Sequence, residues 1–220
     1  MNKRLFVVSF FLILLIGFIL RVYNINNTPP GVNQDEASIG YTAYSILKTG
    51  KDEYGVSFPL SFQSFGDWKL PVYIYATVPF VKVLGLSETT VRLPSVIFGW
   101  GTLILTYFLT KYLFRNNFIA LIAMALIAVS PWHLHLSRVE SESNIAVFLI
   151  TLSTILLFRS FKKRWLLLPS FTGFALTYYT YAGNYIFTTL FLITIFLLYK
   201  KQMLPNKFFK IGIIIFTILF

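Results

Sequence analysis

Long apolar runs alternate with short polar segments along almost the whole chain, and the first run begins at Leu5. A helix rises about 1.5 Å per residue, so about 20 apolar residues cross a bilayer, and flanking aromatic residues must extend the shorter runs. The pattern predicts an all-α, polytopic transmembrane helix bundle with about six to seven spans. We predict spans near residues 5–23, 96–110, 117–131, 145–158, 165–182 and 184–199, and an incomplete one at 211–220.

The two ends of the chain raise separate questions. The basic sequence MNKR before the first run fits a signal peptide or a membrane anchor, and no alanine occurs before Ala37 to supply a cleavage site. We interpret the run as an anchor. The last apolar run stops at Phe220, too short to cross, so we expect the N-terminal part of a longer protein.

One long polar connection, residues 24–92, separates the first two predicted spans, and loops of this length are usually functional. The acids Asp35 and Glu36 open a stretch with helical spacing that stops at Gly50. A second amphipathic stretch begins at Pro71 and is too short for a confident crossing, so we expect short interfacial helices in this loop.

These loop residues also have ordinary structural explanations. Asp35 fits an N-cap and Glu36 a first-turn acid, since the helix dipole favours carboxylates at that end. Trp68 and Lys69, in the segment FGDWKLP, fit membrane anchors at headgroup depth. The sequence alone leaves the structural and functional interpretations open.

The segment SPWHLHLSRVESESN, between two predicted spans, carries more charge than a connector needs, with Arg138, Glu140 and Glu142 close together. The two glutamates lie two positions apart and diverge on a helix, so we expect only one of them, with Arg138, to face the first loop. An H-x-H pair such as His133 and His135 is weak evidence for a metal site.

Composition and charge narrow the class of protein. Hydrophobic residues make up 56% of the 220 residues and charged residues 12%, which is typical of a membrane protein. The absence of cysteine excludes disulfides and thiolate chemistry. With loops assigned to alternate sides, most of the 19 basic residues lie on one side and all eight acids on the other. The positive-inside rule then predicts a cytoplasmic N-terminus and extracytoplasmic acids, and it explains the net charge of +11 without nucleic-acid binding.

The succession of these features resembles the polyprenyl-phosphate-sugar-dependent glycosyltransferases of the GT-C superfamily, which includes protein O-mannosyltransferases and lipid A aminoarabinose transferases. The resemblance covers residues 1–220 as the N-terminal part of such an enzyme. It rests on the first span, the acid pair Asp35–Glu36, a K-x-P-x-Y segment at Lys69, Pro71 and Tyr73, and the segments TTVRLPSVIFG, SPWHLHLSRVESESN and TYYTYAGNY.

The resemblance implies an enzyme that moves a sugar from a polyprenyl-phosphate donor to an acceptor hydroxyl, with inversion, at the extracytoplasmic face. It implies a glycan, lipid or protein acceptor, the bilayer as partner, and no nucleic acid. No cofactor is certain from the sequence. A divalent metal is possible, because two outer-face acids could hold one, but too few ligands can be placed to predict a metal site. The implied catalytic residues are Asp35, Glu36 and Glu142, and the implied substrate-binding residues are Lys69, Arg138, Trp68 and Tyr181.

Two alternatives come from other classes. A multi-span transporter is the first, although carriers usually place ionisable groups at mid-membrane depth and the predicted apolar runs contain no charged residue. An inactive, truncated or scaffold relative is the second, because the apolar run ends at Phe220.

Overall fold

Helices account for most of the computed structural model, which describes residues 2–219. The helices of this region are α1 (Lys3–Val22), α2 (Gln34–Thr49), α3 (Pro71–Leu84), α4 (Glu88–Phe114), α5 (Asn117–Val129), α6 (Pro131–Leu136), α7 (Glu142–Ser160), α8 (Leu167–Thr177), α9 (Asn184–Met203) and α10 (Phe208–Leu219). A short 3-10 helix, Arg164–Leu166, precedes α8. The predicted helical architecture is therefore confirmed in its main feature.

A small hairpin departs from the all-α prediction. Strands β1 (Phe62–Ser64) and β2 (Asp67–Lys69) pair antiparallel, with Phe62 opposite Lys69. Phe65 and Gly66 between them have φ values of 43° and 85°, the double left-handed turn that suits a right-twisted hairpin. Strands of three residues are too short to show an alternating pattern, so they could not be predicted from the sequence.

Four described helices, α1, α4, α7 and α9, are long and apolar enough to cross a membrane. The helices α3, α5 and α10 are apolar but shorter. Within the predicted span at 165–182, the α-helix α8 has 11 residues and follows the 3-10 helix directly. Helix α4 starts at Glu88, before the predicted 96, because Ser87 caps it by accepting a hydrogen bond from the Thr90 N–H. The chain is an integral membrane protein by these helices, and its predicted six to seven spans are not confirmed.

The chain divides into two compact units, the first ending at Ile145 and the second starting at Ala146, within α7. In the first unit α1, α4 and α5 pack together around a core of Leu14, Leu103, Tyr107 and Met124. The Trp100 indole N–H donates to the Leu14 carbonyl over 2.9 Å. Apolar packing thus fixes the helices whose ends carry the charged loops.

The connection between α1 and α4 folds onto the start of α4. Helices α2 and α3 pack on each other and on α4, with Ile39 and Ala43 fully buried. A Cβ added at Gly40 would lie 2.7 Å from Cγ2 of Val91, so glycine allows α2 to approach α4 closely. Buried Tyr73 donates its hydroxyl hydrogen bond to the Val91 carbonyl over 3.0 Å.

The second unit contains α8, α9 and α10 besides most of α7, and α8 packs on α10. The segment TYYTYAGNY forms the turn between α8 and α9, as the glycine in it predicted. Asn184 donates to the Thr177 carbonyl over 3.0 Å, and the hydroxyls of Thr177 and Thr188 lie 3.0 Å apart.

Candidate functional site

The acid pair lies at the first turn of α2, where Asn33 is the N-cap. The Asn33 side chain accepts a hydrogen bond from the Glu36 N–H over 2.7 Å, and the Glu36 carboxylate accepts one from the Asn33 N–H over 3.2 Å. This reciprocal capping box satisfies two backbone donors of the helix end. Gly50 ends the helix in the left-handed conformation, φ 70°, as predicted. The cap is therefore Asn33, so capping does not account for Asp35.

Glu36 forms a buried ion pair with Arg92 of α4, a residue that sequence reasoning did not select. Arg92 Nε and Nη2 donate to the two carboxylate oxygens over 2.7 and 3.0 Å. The other N–H groups donate to the carbonyls of Ile25, Pro29 and Gly31. All five guanidinium N–H groups are used, and the side chain is fully buried. The pair ties the start of α2 to α4 and to the chain leaving α1.

These contacts keep Glu36 charged. Burial by itself raises the pKa of Glu36, but hydrogen bonds from Arg92 and from the N–H groups of Glu140 and Asn33 outweigh it, and the net pKa is lowered. Glu36 therefore holds the end of α2 as a carboxylate. The catalytic role that the resemblance implied for Glu36 stays a prediction.

Asp35 and Lys69, predicted as catalytic and phosphate-binding residues, lie together. Lys69 Nζ is 2.7 Å from Asp35 Oδ1 and 3.8 Å from Asp67 Oδ2. The hairpin places Lys69 at the end of β2, and its side chain is 14% exposed against 52% for Asp35. Burial lowers the pKa of Lys69, but the hydrogen bond and charge of Asp35 and the charges of Glu142 and Asp67 raise it overall, so the ammonium persists. The site therefore presents a half-exposed carboxylate beside a fixed cation.

Glu140 and Glu142 both interact electrostatically with Asp35 and Lys69. The Glu140 N–H donates to Glu36 Oε1 over 3.2 Å, and the Oε1 atom of each glutamate is buried without a hydrogen-bond partner among the described residues. Burial raises the pKa of Glu140 to about 8, the charges of Glu142 and Asp35 add to it, and Lys69 partly offsets them. The expectation that only one glutamate faces the first loop was wrong, because Glu140 precedes α7 and the helical divergence does not apply. We name Asp35, Lys69, Glu140 and Glu142 the acid cluster.

Arg138 contacts backbone carbonyls. Its Nη1 donates to the Leu20 carbonyl over 2.6 Å, and its Nη2 donates to those of Tyr23 and Thr28 over 2.7 and 3.0 Å. The guanidinium therefore ties the second loop to the end of α1 and the residues after it. Its predicted contact with a phosphate stays a prediction.

The two predicted aromatic contacts lie in different units. Trp68 is 64% exposed beside Lys69, a position that suits an indole at headgroup depth. Tyr181 lies in the second unit, where a Cβ added at Gly183 would be 2.5 Å from its ring. Both roles in substrate binding stay predictions.

Arg21 is a second buried cation, and it was not among the predicted site residues. Arg21, fully buried near the end of α1, donates to the Gly17 carbonyl over 2.7 Å and to His133 Nδ1 over 2.8 Å. Burial, with the charge of Arg21, lowers the pKa of His133 to about 4, so the imidazole is neutral at physiological pH. Within residues 2–219, no group of three or more His, Asp or Glu side chains is placed to hold a metal ion.

Comparison with known families places the chain in a defined class of membrane proteins. The family model described as dolichyl-phosphate-mannose-protein mannosyltransferase matches residues 11–220. The chain therefore belongs to this family, which lies in the GT-C superfamily and uses polyprenyl-phosphate sugars. The resemblance seen in the sequence is confirmed.

One similar curated protein is "Putative mannosyltransferase YkcB" of Bacillus subtilis (strain 168). The two are 29% identical over 175 residues, which cover 77% of this chain and 23% of the relative. The chain thus spans less than a quarter of that relative's length. No solved structure matches the chain.

Proposed function

We propose that the intact protein is a membrane glycosyltransferase that moves a sugar from a polyprenyl-phosphate donor to an acceptor hydroxyl, with inversion at the anomeric carbon. The family match and the mannosyltransferase named among its relatives favour mannose as the sugar. The donor's isoprenoid lies in lipid and its head at the surface, so the reaction needs a site where helices end and charged loops begin. The acid cluster has this position in the first unit.

The observation that carries the proposal is the 2.7 Å contact between Asp35 and Lys69. A half-exposed carboxylate can accept a proton from an acceptor hydroxyl, and a fixed ammonium next to it can bind the donor phosphate. This contact brings a base and a phosphate-binding cation to one site. Because inversion needs the attacking and leaving oxygens on opposite faces of the anomeric carbon, the ion pair would open when the donor phosphate binds Lys69.

The reaction proceeds as one displacement. The acceptor oxygen bonds to the anomeric carbon while the bond from that carbon to the phosphate oxygen breaks, and polyprenyl phosphate leaves. Asp35 takes the hydroxyl proton, and Lys69 stabilises the negative charge that grows on the phosphate. The sugar becomes oxocarbenium-like in the transition state, and Glu142, whose charge acts on Lys69, is our candidate to stabilise that positive charge.

Charge segregation supports an extracytoplasmic site. The acids of the sequence lie in the segments that the positive-inside rule assigns to the outside, and the N-terminus is then cytoplasmic. The short apolar helix α3 follows directly after Lys69 and suits an interfacial position. Trp68, exposed beside Lys69, would lie at the headgroups.

Substitution of Asp35 by Asn tests the proposal. We expect membranes carrying Asp35→Asn to lose at least about a hundredfold in transfer from a polyprenyl-phosphate sugar, since a general base contributes about 10²–10⁴. The amount of inserted protein should not change. Asp67→Asn is the matched control, because this carboxylate is 76% exposed and lies 3.8 Å from Lys69. Wild-type turnover in Asp35→Asn would remove Asp35 from the mechanism.

A further inference from the structure

A cleft of about 380 Å³ opens at the N-terminal end of α2, lined by Glu36 and by none of the four residues of the acid cluster. Its rim is formed by the segment before α2 and by the second charged loop. The residues that matter here are Pro29, Pro30, Val32, Asn33, His135 and Val139. Nothing in the proposed reaction so far uses this space.

The cleft offers no free charge. Glu36 and Arg92 also line it, but they neutralise each other, and all five N–H groups of Arg92 are already used. A phosphate would find no available cation there, so the donor phosphate does not belong in this cleft. A neutral ligand fits the electrostatics.

The available polar groups are neutral donors and acceptors. The Asn33 oxygen accepts from the Glu36 N–H, which leaves the Asn33 amide N–H groups for a ligand. Neither ring nitrogen of His135 has a hydrogen-bond partner among the described residues, and the side chain is exposed. Proline rings and valine side chains supply apolar surface beside them. Alternating hydroxyls and C–H faces, as in a sugar, match such a lining.

The geometry of α2 connects the cleft with the reacting groups. Consecutive residues on a helix point about 100° apart, so Asp35 faces Lys69 while Glu36 faces the cleft. The Glu140 N–H, next to Val139 of the cleft, binds the Glu36 carboxylate. Glu36 therefore lines the cleft and is the next residue in the chain after Asp35, the proposed base in the acid cluster.

We infer that this cleft binds the acceptor and that the acceptor is a neutral, hydroxyl-bearing sugar. The inference rests on the proposed glycosyl transfer and names its second substrate. A volume of about 380 Å³ lies at the small end of ligand pockets, which suits one compact head group. An extended peptide would need a strand edge or a long groove.

Val32→Trp fills the cleft and tests the inference. Val32 is 45% exposed, so the larger side chain does not disturb a core, and Val83→Trp, at a position 79% exposed on α3, is the matched control. Membranes carrying the intact protein are assayed with polyprenyl-phosphate mannose as donor and methyl α-mannoside or a Ser/Thr peptide as acceptor. Donor hydrolysis by water is measured alongside. A second variant, His135→Ala, removes one polar contact without adding bulk.

We expect Val32→Trp to raise the KM for methyl α-mannoside at least tenfold, and His135→Ala to raise it several-fold. The KM for the donor and the rate of donor hydrolysis should stay at wild-type values, as should all parameters of Val83→Trp. An unchanged acceptor KM in both cleft variants overturns the inference. A rise in donor KM, or transfer to the peptide alone, overturns it as well.

Binding of methyl α-mannoside, measured by saturation-transfer NMR on the purified protein, separates this inference from the proposed function. Suppose that the wild type binds the saccharide but neither transfers nor hydrolyses the donor, and that Val32→Trp abolishes the binding. This result would support the cleft as a saccharide site and refute the proposed transferase activity. If the wild type turns over and neither cleft variant changes saccharide binding, the proposed transferase activity is supported and the cleft is refuted as the acceptor site.

Discussion

Lys69 Nζ lies 2.7 Å from Asp35 Oδ1, so the proposed phosphate contact and the proposed base are ion-paired with each other. Asp35 belongs to the first turn of α2, and Lys69 lies at the end of the β-hairpin, 34 positions later. A donor phosphate that binds Lys69 competes with Asp35 for the same ammonium. Donor binding would thereby release the carboxylate for the acceptor proton.

Removing the ammonium should weaken donor binding specifically. A hydrogen bond to a charged group contributes about 1.5–3 kcal/mol, so we expect Lys69→Ala to raise the donor KM by about tenfold or more. The acceptor KM should stay constant. Initial-rate kinetics with varied donor measure this, and Lys48→Ala, an exposed lysine at the other end of α2, is the control. An unchanged donor KM would exclude Lys69 from phosphate binding.

Arg138 should behave differently from Lys69. Because its guanidinium donates to three backbone carbonyls, we expect Arg138→Ala to lower the thermal unfolding midpoint of the purified protein. Its donor KM should remain near the wild-type value in the surviving folded fraction. A raised donor KM with an unchanged midpoint would instead establish the phosphate contact that the sequence predicted.

The Glu36–Arg92 pair should be critical for folding of the first unit. Removing one partner of a buried pair leaves an uncompensated charge and typically costs about 3–5 kcal/mol. We expect Arg92→Ala to unfold at markedly lower temperature and to expose the segment before α2 to protease. Glu53→Gln, an exposed acid in the same loop, should unfold like the wild type. Equal stability of Arg92→Ala and wild type would contradict the pairing.

Glu140 should make stability depend on pH. The raised pKa of about 8 means that the folded protein holds this proton more tightly than the unfolded chain. Burial is the main cause, the charges of Glu142, Asp35 and Glu36 add to it, and Lys69 opposes it. The resulting stabilisation is complete below the ordinary glutamate pKa and is lost as the pH rises through about 8. We expect the unfolding midpoint of the wild type to fall between pH 6 and pH 9 more steeply than that of Glu140→Gln. Parallel curves for the two proteins would show that Glu140 does not titrate in this range.

Several site residues could be found in the sequence because their signals are local. Asp35 and Glu36 precede a helical pattern with a glycine stop, and Lys69 stands next to an indole and a proline. Arg92 could hardly be predicted as a site residue, because the sequence shows only a single cation at the start of an apolar run. Its partner Glu36 lies 56 positions away, and no local pattern identifies such a partner.

The sequence by itself determined the helical membrane class, the separation of acids from most basic residues, the limits of α2 and the family resemblance. Each follows from composition or from periodicity over a few turns, which a single chain carries without its partners. The tertiary structure decided which groups interact. Glu36 pairs with Arg92, Asp35 pairs with Lys69, and Glu140 joins the latter two in the acid cluster. Arg138 binds backbone carbonyls. The Glu140 N–H reaches Glu36 across 104 positions of sequence, and contacts of that kind exist only once the packing of α1, α4 and α5 has brought the loops together.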